Sequence, residues 1–120
     1  MKVSSMNPVF VSADLEREVE GYKTLGFRQV HHLHENELVE IYVMETENGS
    51  RVDLVKIEGA EPGKVGIRIN VDNLEEAVAL YRSLGFTGGE RVFETKSNRI
   101  TEMNAPHNDV VYIVVQHIHG

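Results

Sequence analysis

Leu15-Glu16-Arg17-Glu18-Val19-Glu20-Gly21-Tyr22-Lys23-Thr24-Leu25-Gly26-Phe27 is answered 59 residues later by Leu74-Glu75-Glu76-Ala77-Val78-Ala79-Leu80-Tyr81-Arg82-Ser83-Leu84-Gly85-Phe86. In both stretches Leu, Val and Tyr fall at a four-then-three spacing, the apolar stripe of an amphipathic helix. Gly26 and Gly85 stand where a helix ends in the left-handed conformation, and Phe27 and Phe86 just beyond can pack back onto the last turn. The same offset, with no gap, pairs Val52 with Val111 and Val55 with Val114, so two copies of equal length are expected across nearly the whole chain. A cleft between two related modules is a natural place for a small ligand.

Working outward from the helices, Ser12-Ala13-Asp14 and Asp72-Asn73 supply the side-chain oxygens that cap helix starts. Before them lie the strand-like segments Val9-Phe10-Val11 and Val65-Gly66-Ile67-Arg68-Ile69-Asn70-Val71. Three further strand-like runs follow each helix: 28–34, 38–45 and 51–57 in the first half, and about 90–95, 99–104 and 110–117 in the second. Glu47-Asn48-Gly49 predicts a hairpin turn with positive φ at both Asn48 and Gly49. Ala105-Pro106-His107-Asn108-Asp109 predicts another turn before the last strand, and Pro62-Gly63 marks a linker. The expectation is a single domain over 1–120 made of two repeats, about 6–58 and 64–117, with the linker at about 59–63.

This βαβββ order, repeated, together with Tyr22-x-x-Leu25-Gly26-Phe27 and Tyr81-x-x-Leu84-Gly85-Phe86, closely resembles the vicinal oxygen chelate superfamily, which includes glyoxalases, bleomycin-resistance proteins and extradiol dioxygenases. The resemblance covers roughly residues 6–117. It implies an α+β fold of two tandem βαβββ modules forming a curled, mixed-sheet cup, glyoxalase/bleomycin-resistance-like, with the ligand enclosed between paired modules. It also implies pairing of modules in one chain or across a homodimer, and a dimer is expected here because a chain this small gains stability by association.

Enzymes of the superfamily usually hold a divalent metal such as Zn, Ni, Mn or Fe on the first and last strand of each module, where it acts as a Lewis acid. Carried onto this chain, the first-strand positions are Asn7 and Gly66, and the last-strand positions are Asp53 and, by the repeat, Tyr112. Only Asp53 is a suitable donor, whereas a stable mononuclear site needs three or four. The expectation is therefore no metal cofactor, with Asp53, His32 and His34 as the donors from which an unusual site would be recruited. The last turn also departs from the Asp-Pro-Asp-Gly that relatives carry, keeping only Pro106.

Other residues invite chemistry of their own. Arg68 interrupts an apolar strand and shares a face with Gly66 and Asn70 by the two-residue period. A half-buried arginine needs a partner, which would be Asp53 or an anionic ligand held by its planar fork. Gly66 would leave room for a bulky ligand, and Tyr112 would either donate a phenolic hydrogen bond to it or pack in the core. The predicted ligand cleft is thus Asn7, Val9, Asp53, Gly66, Arg68, Asn70 and Tyr112. His31, His32 and His34 lie on one strand, with His32 and His34 on one face and His31 on the other, as ligands or as an exposed strand end beside Glu35-Asn36-Glu37. His117 and His119 share a face near the last residue. Tyr22 and Tyr81 read as helix packing, and Asn48-Gly49-Ser50 as a turn rather than a glycosylation acceptor.

The remaining bounds are compositional. With 41% hydrophobic residues in 120, the chain can build one real core, and with no cysteine it has no disulfide, thiol or thiolate-metal chemistry. A formal charge of −7 argues against nucleic acid, which is bound through clustered Lys and Arg. No stretch is apolar enough to span a membrane, and no leader pattern is evident, so a cytoplasmic protein without a membrane partner is expected. Among functions, a metal-independent binder of a small organic ligand leads. A metal-dependent lyase or isomerase of the lactoylglutathione-lyase type, and a non-catalytic interaction module, are the alternatives; dioxygenase-like chemistry is a further possibility if it is an enzyme.

Overall fold

The computed structural model describes residues 1–118, with the side chains of Glu35 and Asn36 excepted; His119 lies outside the described residues. Elements follow in the order β1 (Val3–Val11), α1 (Leu15–Thr24), β2 (Arg28–Asn36), β3 (Val39–Glu45), β4 (Arg51–Ile57), β5 (Val65–Val71), α2 (Leu74–Ser83), β6 (Thr87–Gly88), β7 (Phe93–Glu94), β8 (Asn98–Asn104) and β9 (Val111–His117). The chain divides into two compact units, one of residues 7–65 and one of residues 1–6 with the chain from Gly66 onward.

In the first unit β1 runs parallel to β4, while β3 pairs antiparallel with both β4 and β2. The segment about Pro62-Gly63 belongs to this unit through Gly63 N to Val11 O and Val11 N to Lys64 O, at 2.8 and 2.9 Å. The other unit repeats the pattern: β5 runs parallel to β9, β9 pairs antiparallel with β8, and β8 carries β6 and β7. The first residues of the chain join it, with Lys2 N donating to Asp72 Oδ1 at 2.7 Å and Asn70 Nδ2 to Ser5 Oγ at 2.6 Å.

Both helices begin and end as the repeated sequence dictates. Asp14 accepts from Arg17 N at 3.2 Å and Asn73 from Glu76 N at 3.0 Å, each satisfying a first-turn amide that has no helical acceptor. At the exits Gly26 and Gly85 take φ of 98° and 93°. Phe27 N donates to Tyr22 O and Gly26 N to Lys23 O, while Phe86 N and Gly85 N do the same to Tyr81 O and Arg82 O. This is the Schellman pattern, in which two otherwise orphaned carbonyls are capped. The phenylalanine then returns to the last turn, with the rings of Tyr22 and Phe27 centred 5.0 Å apart and those of Tyr81 and Phe86 4.8 Å apart.

Three expectations are corrected. The hairpin between β3 and β4 does not use positive φ at Asn48; only glycines take it among the described residues, here Gly49 at 87°. Gly49 N bonds Thr46 O and Thr46 N bonds Ser50 O, so the longer loop of a one-glycine turn replaces the tight two-residue form. Next, the strand expected over 90–95 is reduced to β7, and β6 appears before it. At Gly88 and Gly89 the backbone takes φ of 101° and 86°, and a Cβ at Gly88 would stand 2.5 Å from Glu102 O, so the extended pairing with β8 breaks there. Finally, the repeat is not gapless to its end. Val9 pairs with Asp53 in one unit, but Arg68, 59 residues on from Val9, pairs with Ile113 rather than Tyr112. The last strand of the second copy is one residue out of step.

Each unit buries one helix against one sheet face. Leu15 and Val19 pack with Met44, Val52 and Leu54, joined by Phe10, Tyr22, Phe27 and Tyr42. In the other unit Leu74, Ala77 and Val78 pack with Ile69, Val71, Met103 and Val114, joined by Ile67, Tyr81, Phe86 and Tyr112. Leu54 is 0% exposed beneath α1, whereas Leu25 at the end of that helix is 75% exposed. Leu54→Ala is expected to cost about 2–5 kcal/mol of unfolding free energy through lost transfer and cavity terms, and Leu25→Ala to stay within about 0.5 kcal/mol. Urea titrations of the two variants check this, and equal losses would contradict the packing.

Candidate functional site

Because successive strand residues point to opposite faces, burial of one face under the helix fixes what the other presents. In the unit of residues 7–65, Phe10, Leu54 and Tyr42 lie on the α1 side. Register therefore sets Val9, Asp53, Val43 and His31 in one row on the opposite face. A bulge between Gln29 and His31 helps aim the imidazole there. Val11, Val55, Ile41 and Leu33 form the next row.

Asp53 is 3% exposed, with Val9, Val43 and Val55 buried around it. A carboxylate so deep must be matched by other groups, and Asp53 is indeed engaged. Asn7, also buried, donates its Nδ2 to Pro8 O at 3.1 Å. On the other side of the Asp53 row, Glu45 stands between two cations. Arg51 Nε donates to it at 2.7 Å and Arg28 Nη2 at 3.1 Å, and these hydrogen bonds hold the carboxyl below the usual range.

In the other unit Ile67, Ile69, Tyr112, Val114 and Met103 face α2. The opposite face carries the row Arg68, Ile113, Glu102 and, beside it, Asn70, Val115, Ile100 and Phe93. Arg68 is half-buried, and its Nε donates to Asn70 Oδ1 at 3.4 Å while Asn70 in turn donates to Ser5 Oγ. Arg68, too, has a further partner.

The predicted residues separate on this geometry. Gly66, Arg68 and Asn70 share a face as expected, and so, in their own unit, do Asn7, Val9 and Asp53. Tyr112 does not join Arg68: the one-residue slip turns it toward α2, its ring centred 5.9 Å from Tyr81 and 5.3 Å from Phe86. Burial pushes the Tyr81 hydroxyl pKa up, with Tyr112 beside it adding to the effect. The room expected at Gly66 is taken, since a Cβ there would lie 3.2 Å from Val111 O and 3.4 Å from Ile113 Cδ1. His31, which the two-residue period places on the face opposite His32 and His34, and Glu102, which the sequence does not mark, are the residues the register adds. The alternation of buried Thr101 and Met103 about exposed Glu102 was the available signal.

His32 and His34 are corrected as partners of Asp53. His32 pairs with Tyr42 on the α1 side, its ring stacked on the tyrosine at 4.0 Å, and its Nε2 lies 2.7 Å from Glu40 Oε2. His34 Nδ1 is 3.9 Å from that same oxygen. Asp53 points from the other face of the sheet. Among the described residues no three His, Cys, Asp or Glu side chains are grouped to hold a metal ion. His117 Nδ1 lies 3.3 Å from Asn98 Oδ1. Two surface hollows lie elsewhere: one of about 440 Å³ by His34, Glu40 and Lys56, and one of about 850 Å³ along α1 by Arg17, Tyr22 and Pro62. Among the described residues no helix is long and apolar enough to cross a membrane.

Compared with known proteins, the chain matches no family model and no curated sequence. Solved structures do match. Methylmalonyl-CoA epimerase from Mycobacterium tuberculosis superposes with a TM-score of 0.74 at 18% identity, over 98% of this chain and 90% of that one. A glyoxalase/bleomycin resistance protein/dioxygenase superfamily member from Vibrio splendidus gives 0.61 at 15%, over 98% and 100%. Glyoxalase I from Zea mays gives 0.70 at 14%, over 98% of this chain but 43% of that one. These likenesses establish the fold: α+β, of the glyoxalase/bleomycin-resistance type found throughout the vicinal oxygen chelate superfamily.

The Glu45 pair carries a pH dependence. With its folded pKa lowered by Arg51 and Arg28, Glu45 contributes stability that is present above the unfolded carboxylate value of about 4.3 and is lost as pH falls through the folded one. Glu45→Gln is expected to flatten the acid limb of a urea-midpoint profile below about pH 4.3. An unchanged limb would show that Glu45 is not among the groups that produce it.

Proposed function

We propose that this protein binds a small organic anion on the helix-free sheet face that carries Arg68, without a divalent metal, and that Arg68 is its principal recognition group. The observation that carries this reading is Arg68 itself. It is a cation set in the middle of a strand between Ile67 and Ile69, half-buried, with its Nε donating to Asn70 Oδ1. A guanidinium in such a setting is held at a cost in desolvation, and its planar fork suits a carboxylate or phosphate bidentately. Asn70 on the same face adds a polar group to the proposed site.

The absence of a metal role is supported by the donors, since Asp53 shares its row with only one imidazole, His31, two strands away. A second reading, a metal-dependent lyase or isomerase, draws on the buried Asp53 at the last-strand position and on the fold shared with glyoxalase I and methylmalonyl-CoA epimerase. Fold alone does not decide between them, because one scaffold hosts many chemistries.

A thermal-shift and calorimetric screen of small carboxylates and phosphate monoesters tests the leading reading. Binding is expected to weaken about 10- to 100-fold in Arg68→Lys, which keeps the charge but loses the fork, as removal of a hydrogen bond to a charged group would predict. Unchanged affinity in that variant would overturn the assignment. Metal content after incubation with nickel, zinc, manganese or iron and exhaustive dialysis separates the second reading: about one ion per chain, lost in Asp53→Ala, would establish it in place of the first.

A further inference from the structure

Among the described residues Glu102 is the one carboxylate that the register places on the face of Arg68. β8 alternates Thr101 and Met103, both 0% exposed, with the exposed Glu102 and Asn104. Glu102 pairs with Ile113, which pairs with Arg68, so the three side chains stand side by side across adjacent strands. Two strand spacings put the Cα atoms of Arg68 and Glu102 about 10 Å apart. Arg68 turns its Nε to Asn70 and has a further partner, whereas the Glu102 carboxylate makes no ion pair among the described residues. Other acidic side chains of this unit behave differently: Glu75 and Glu94 both engage Arg99, and Glu90 lies 3.8 Å from Arg82. Between cation and anion, half-buried Ile113 offers only hydrocarbon.

A molecule lying across this row meets a cation, a short apolar step and an anion in that order. We infer that Glu102 is a specificity-determining residue which, opposite Arg68, selects zwitterions: small carboxylates that carry an amine a few carbons from the acid. This inference rests on the anion reading of Arg68 and refines it by naming the second charge the ligand must bear. Two opposed charges fixed on one rigid sheet discriminate through mismatch as well as attraction, because a plain acid leaves Glu102 unanswered and brings its own negative end toward it. The apolar step adds preference for length, since an amino acid too short to cross Ile113 cannot engage both groups.

The probes are glycine, 3-aminopropanoate, 4-aminobutanoate and 5-aminopentanoate, each against the acid lacking the amine, titrated by calorimetry into the whole chain. The wild-type protein is expected to bind one of the longer amino acids about tenfold more tightly than its parent acid. Glu102→Gln, at an exposed position, should erase that preference by weakening the amino acid and, with the mismatch relieved, strengthening the parent acid. Arg68→Lys should weaken both members of each pair. Equal affinity of amine and parent acid for the wild type, or a preference that survives Glu102→Gln, would overturn the role of Glu102 and leave the anion reading standing. If no carboxylate in the series binds the wild type, the anion reading fails for this ligand class and the inference falls with it.

Discussion

Packing of α1 on Phe10, Tyr42, Val52 and Leu54, and of α2 on Ile69, Met103, Tyr112 and Val114, is the constraint from which the rest of each unit follows. A strand side chain has only two directions, so once the apolar set is committed to the helix the remaining residues are committed to the other face. That is why a charged residue such as Arg68 can be held in a strand between Ile67 and Ile69. Its neighbours Ile67 and Ile69 are anchored under α2, and turning the arginine inward would expose them both. Full burial of a side chain such as Ile69 gains roughly 1.5–3 kcal/mol, which a strand slip would forfeit.

The polar side chains are graded by how they are matched. Glu45 between Arg28 and Arg51, and Arg99 between Glu75 and Glu94, are near-surface clusters that solvent screens; they contribute little each and mainly keep long side chains in place. Asp53, at 3% exposure, is of another kind, since a buried ion left unmatched would cost several kcal/mol. Histidines divide the same way. His32 is absorbed into a stack on Tyr42 and a contact with Glu40, whereas His31, turned over by the bulge, stands in the row of Asp53.

The elements nearest the helices were legible because their signals are local. Asp14, Asn73, Gly26 and Gly85 act within a single turn, and the ends of both helices match what those residues predict. The strand expected over 90–95 was not legible, because its loss depends on how closely Gly88 approaches the backbone of Glu102, a contact between residues distant in sequence. Likewise the one-residue slip of β9 leaves no mark in a comparison of the two halves. Val52 with Val111 and Val55 with Val114 look like a matched set, yet valine suits either face of a strand, and only the seating of Tyr112 against Tyr81 and Phe86 tells the faces apart.

By itself, then, the order of residues determined two βαβββ repeats, their helix caps, the apolar stripes that choose the buried faces, and the grouping of Gly66, Arg68 and Asn70. These are set by short-range periodicity and capping, which need no knowledge of partners. Tertiary structure alone decided that Tyr112 belongs to the core, that His32 and His34 stand apart from Asp53, and that Glu102 shares a row with Arg68. Those are questions of register between strands, and register is chosen by the summed burial of whole faces rather than by any single residue.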